Sequence, residues 1–158
     1  MGAANDLLLD GYDRIGQSVP DVLDGLGTDG AAWRPDDESN SVGWLVWHLN
    51  RIMDDHLAGL TGEEQVITSE GYAEHLGLDL PAGDTGYGHD ADDVAKVRFD
   101  DLGVLAAYLA MVTDFDRVVD ERWDPPVTLG VRLVSVLDDA ARHVGQAQYL
   151  RGLVDRRA

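Results

Sequence analysis

The stretch Asn40-Ser-Val-Gly-Trp-Leu-Val-Trp-His-Leu-Asn-Arg51 decides how the rest of the chain is read. Asn40 or Ser41 can accept hydrogen bonds from the first free N–H groups of a helix, and the apolar residues begin immediately afterwards. Val42, Leu45, Leu49, Ile52 and Met53 recur at helical spacing, so a helix is expected up to about Leu60. His48 falls in its middle, among Trp44, Leu45, Trp47 and Leu49, where at least partial burial is expected.

Working outward, Leu7, Leu8, Tyr12, Ile15, Val19 and Leu23 predict a first helix over about 4–24, with a kink or short break at Pro20 before Asp21. Gly25, Gly27 and Gly30 mark a loop to Trp33-Arg34-Pro35. From Thr61 to Asp101 glycines and acids alternate without a sustained period, which reads as a long crossover carrying one short helix around Glu70–Leu76. A crossover of that length in a compact domain is usually functional or flexible. A third helix is expected from about Leu102 to Val119, before Pro125-Pro126 stops the pattern. Thr128 can cap a last helix running through Leu129, Val131, Leu133, Val134, Val136, Leu137, Val144 and Leu150 to about Val154. The class is therefore all-α, as a four-helix bundle with its long crossover between helices 2 and 3, and residues 1–158 form one domain.

Composition agrees. The chain has 158 residues, 44% of them hydrophobic, which is enough for a core. It has no cysteine, so a disulfide, a cysteine-based zinc site and a protein thiol nucleophile are all excluded. With 12 basic residues against 30 acidic, the net charge of −18 repels phosphate backbones and anionic lipid surfaces. Neither nucleic acid nor a membrane is an expected partner. The N-terminus lacks the basic-then-apolar order of a signal peptide, and a cytoplasmic protein is expected.

Of the five histidines, His48 and His143 draw attention. Asp139 precedes His143 by four residues, so one helical turn puts both on the same face, roughly 6 Å apart along the axis. With His48 from another helix they would make three corners of a metal site, leaving positions open as in catalytic zinc. The alternative is a surface ion pair between Asp139 and His143, with His48 a hydrogen-bonded core residue. Asp55 and His56 lie two turns beyond His48 and could move protons, or simply form a charged helix end. Gln146 reads either as lining a pocket or as an ordinary polar position. Arg151 could meet an anionic substrate group or answer the end of a helix dipole. Tyr87 and His89 sit among glycines, where a loop could close over the site or merely turn. Trp33, Trp44, Trp47 and Trp123 read chiefly as packing.

The segment 40–51, followed by Asp54-Asp-His56, resembles the second helix of DinB-like proteins, in the branch that includes mycothiol-dependent transferases and maleylpyruvate isomerase. Arg142-His-Val-Gly-Gln-Ala-Gln-Tyr-Leu-Arg-Gly152 resembles the last helix of that branch. Thr85-Gly-Tyr-Gly-His89 and the segment from Val118 to Leu129 are similar to it as well, so the resemblance spans nearly the whole chain. It implies a divalent metal, zinc or alternatively nickel, on His48 and His143. Asp139 stands where many members have a histidine and the isomerase a glutamate, and its shorter reach implies a looser site. The sequence ends at Ala158 without the isomerase's extra domain, so isomerisation is not expected.

Three functions follow as expectations. The first is a metal-dependent thiol S-transferase that joins a low-molecular-weight thiol such as mycothiol to a small electrophile. The second is a non-catalytic metal- or ligand-binding stress-response bundle. The third is a hydrolase using metal-bound water. A homodimer is conceivable through apolar helix faces.

Overall fold

The computed structural model describes residues 3–62, 64–108 and 118–157. The fold is α-helical and is dominated by three long helices: α1 (Ala3–Leu23), α3 (Val42–Thr61) and α8 (Leu129–Asp155). Short helices α2 (Thr28–Ala32), α4 (Val66–Ser69), α5 (Tyr72–Leu76), α6 (Ala91–Lys96) and α7 (Gly103–Ala106) lie between them. Strands β1 (Val118–Asp120) and β2 (Val127–Thr128) form a small antiparallel ribbon just ahead of α8.

Helix α3 is the central element and starts where its sequence says it should. The Ser41 hydroxyl accepts the Trp44 N–H at 3.1 Å, and Gly62 closes the other end in the left-handed conformation at φ 76°, its N–H reaching Ala58 O. Every residue from Ser41 to Arg51 is buried, so the first half of this helix is covered on all sides rather than along one stripe. Helix α8 packs against both α3 and α1 through Val136, Ala140, Val144, Ala147 and Leu150, the buried positions of one face.

Three expectations need correction. Helix α1 runs through Pro20 without a break. The proline sits one turn from the helix end, where it removes a single hydrogen bond, while Val19, Val22 and Leu23 remain buried beside it. The crossover carries α4, α5 and α6 rather than one short helix. Asp90 caps α6 by accepting from Asp92 N and Asp93 N, and the Asp93 side chain returns the bond to complete a capping box. Of the helix expected over 102–119, only Gly103–Ala106 is helical among the described residues, and 109–117 lie outside them. Val118 and Val119 belong to β1 instead, where Val118 pairs with Thr128. The ribbon is held by Asp120, which is buried and takes the guanidinium groups of Arg122 and Arg132, each at 2.8 Å. Those contacts hold the Asp120 carboxyl far below the usual carboxylate range, the Arg122 hydrogen bonds contributing most.

Candidate metal centre

His48 on α3 meets Asp139 and His143 on α8. Each of the three offers a ligand atom, and these atoms all lie within 4.8 Å of one another. The His48 and His143 rings approach edge to face, with centroids 4.7 Å apart. The i, i+4 spacing brings Asp139 and His143 to one face, and the buried α3–α8 seam brings His48 to them.

The hydrogen bonds around the cluster decide which atoms are available. His48 Nδ1 donates to the Thr85 carbonyl oxygen, and His143 Nδ1 donates to the Asp139 carbonyl oxygen at 2.8 Å. In both rings the proton sits on Nδ1, so Nε2 keeps its lone pair. The Nδ1 proton of His143 being so engaged, Asp139 Oδ2, 3.3 Å away, receives no hydrogen bond from the ring. That oxygen is buried and has no hydrogen-bond partner among the described residues. A buried carboxylate oxygen without a donor is costly unless a cation answers it. Two imidazole nitrogens and one such oxygen fit a divalent ion of zinc type, with room for a further ligand. Burial pushes the His48 imidazole below its ordinary value, although the Thr85 carbonyl and Asp139 act the other way. The ring is thereby kept in the neutral form that can bind a metal.

The wall behind His48 comes from Trp44 and the crossover. The Trp44 indole stacks on the His48 ring with centroids 4.6 Å apart and planes 15° apart. Gly86 lies directly against both, at φ +81°. A Cβ there would stand 2.8 Å from Trp47, 3.1 Å from His48 Nδ1 and 3.1 Å from Trp44. Only glycine allows the loop this approach.

The other anticipated residues divide. His56, two turns along α3, is half-buried and its Nδ1 lacks a hydrogen-bond partner among the described residues. It stands 3.6 Å from Asp55 Oδ2, and burial pushes its imidazole down. Asp55 accepts a hydrogen bond from Gln65 at 2.8 Å and so faces the crossover. Tyr87 is exposed at the tip of the loop over His48, and Gln146 is exposed one turn past His143. His89 is largely enclosed: its side chain is 8% exposed and bonded to Asp84 and Trp44. Arg151 is taken up by the C-terminal end of α1, donating to Val22 O at 3.0 Å and Asp24 O at 2.7 Å, and by Asp155.

Sequence reasoning passed over the cluster beneath this site. Arg51 is fully buried. It donates to Asp84 O, Asp54 Oδ2, the Tyr108 hydroxyl, Gln65 Oε1 and Ala82 O, at 2.7–3.0 Å. Asp54 in turn accepts from Val66 N, Ile67 N and the Tyr108 hydroxyl. All five guanidinium protons are thus placed, and the buried charge has its counter-charge and full hydrogen bonding.

Comparison with known proteins bears on the fold and the family. A crystal structure of a conserved protein from Enterococcus faecalis is 32% identical to the chain, superposes with a TM-score of 0.85, and covers 98% of each chain. No curated protein matches. The family profile described as mycothiol-S-transferase matches residues 11–156, and on that match the chain belongs to the mycothiol-S-transferase family.

Proposed function

We propose that the chain is a metal-dependent thiol S-transferase in which His48, Asp139 and His143 hold the ion and mycothiol, or a similar small thiol, supplies the sulfur. The observation that carries this reading is Asp139 Oδ2, buried without a donor among the described residues, beside two imidazoles whose Nδ1 protons are already engaged. A zinc-type ion bound there would lower the pKa of a thiol and hold its thiolate beside the electrophile. The residues of the chain supply the rest. The backbone carbonyl on each Nδ1 orients the imidazole and raises the basicity of its Nε2. His56 Nδ1, kept neutral by burial, accepts the proton that the thiol gives up. The sulfur forms its new bond to the electrophilic carbon as the bond to the leaving group breaks, and the leaving group departs with the bonding pair and the proton that His56 took up. Tyr87, in the loop that packs on His48, and Gln146, one turn past His143, are exposed and contact the two substrates. With no cysteine in the chain, the electrophile meets no competing protein thiol.

Metal analysis of untagged protein, beside His48→Ala and His143→Ala, tests the reading. About one divalent ion per chain, lost in both variants, is expected, together with thiol-dependent consumption of an electrophile. Absence of metal even after incubation with zinc or nickel would sink it. Metal-dependent turnover without any thiol would replace it with hydrolysis.

A further inference from the structure

Asp84 and His89 form a polar pair that makes no hydrogen bond to the three candidate ligands, yet their side-chain bonds lead to the surroundings of His48. The Trp44 Nε1–H donates to His89 Nδ1 at 3.1 Å. That nitrogen must therefore carry a lone pair, which puts the His89 proton on Nε2. Nε2 lies 3.1 Å from both oxygens of Asp84 and donates to them. Asp84 Oδ1 also accepts the Gly86 N–H at 2.8 Å, while its backbone carbonyl is tied to Arg51. The His89 ring is stacked on Trp47, with centroids 5.7 Å apart.

We infer that Asp84 and His89 are positioning residues which fix the orientation and tautomer of His48 through two branches. One branch runs from His89 to the Trp44 indole, whose face is stacked on the His48 ring. The other runs from Asp84 through Gly86 N to the intervening Thr85, whose carbonyl takes the Nδ1 proton of His48. A carboxylate, a neutral imidazole and an indole make a directional chain: each proton has one acceptor, so the indole cannot rotate without leaving a buried N–H unpaired. Fixing both the ring face and its Nδ1 edge aims Nε2 at the seam with α8. The inference rests on the metal-site reading for its consequence, but the orientation of His48 can be measured without metal.

Two readouts test it. In metal-free protein, ¹⁵N-detected long-range NMR of the histidine rings, with His48 assigned by its absence from His48→Gln, should show the Nδ1–H tautomer. In His89→Phe and Asp84→Asn the same ring should give averaged tautomers, with helical circular dichroism retained. Titration with cobalt(II), followed by its visible absorption, should show affinity lowered about 10- to 100-fold in both variants. His89→Gln, whose amide can still accept from Trp44 and donate to Asp84, should restore both signals. Unchanged tautomer and affinity in His89→Phe and Asp84→Asn would overturn the inference. Wild-type protein that binds no cobalt would instead overturn the metal reading, and the NMR comparison would still judge the positioning role.

Discussion

The two helices that meet at the candidate site are built on opposite plans. Helix α3 is buried all round in its first half, and the crossover is fastened to it at Trp44, His48, Arg51 and Asp54. Helix α8 buries a single stripe and leaves Val131, Val134 and Tyr149 exposed on its other faces. One candidate ligand therefore comes from a wall whose side chains are fixed by many partners. The other two come from a solvent-facing helix and owe their arrangement mostly to the four-residue spacing. Pre-set geometry and simple periodicity reach the same point from two sides.

If the wall is held by its polar core, removing that core should have the largest effect. Arg51→Ala leaves Asp54 buried without its counter-charge and frees two crossover carbonyls, and a loss of about 3–5 kcal/mol is expected in urea unfolding. A loss no larger than that of an exposed substitution would erase the contrast between the two helices.

Gly86→Ala comes next. The strained φ and the close approach to Trp47 should cost about 1–3 kcal/mol, and cobalt affinity should fall with it because the added carbon presses on His48. Affinity lost without stability would instead place the effect on the ligand alone.

The smallest effect belongs to His56, which sits where α3 faces the site. Burial holds its native pKa below the ordinary 6.5, so as pH falls past about 6.5 the unfolded chain takes up the proton before the native one does. The contribution of neutral His56 to stability should therefore begin to fade near that pH and be fully lost below the native pKa. His56→Gln should flatten this slope in unfolding midpoints measured between about pH 7.5 and pH 5.5. An unchanged slope would mean that His56 is solvated and belongs with the outer face.

Much of this was legible in the sequence, and the reasons it was legible are local. The Ser41 cap, the apolar spacing of α3 and the four-residue step from Asp139 to His143 are patterns within one turn of helix, and helical geometry turns them directly into faces. The resemblance to DinB-like proteins tied the two helices together before any distance was known. What escaped was long-range. Nothing near Arg51 announces partners at positions 65, 82, 84 and 108, and an arginine between Asn50 and Ile52 reads as a solvated helix residue. His89 resembled a turn residue because its acceptor role depends on Trp44, 45 positions away. The ribbon around Pro125-Pro126 replaced the end of a helix because Asp120 found Arg122 and Arg132, an attraction that apolar periodicity does not record.

The buried guanidinium also governs where the chain tolerates changes in length. Gln65 and Ala82 both end on Arg51, so the segment between them is measured from two fixed posts. A residue inserted next to either post would draw a carbonyl or an amide out of register with a side chain that has no donor to spare. Between the posts, Gly77 and Asp79 are exposed, and Gly77 already sits in the left-handed region. An added loop, a tag or a graft has its tolerated place there, on the outside of a span whose ends are held fast.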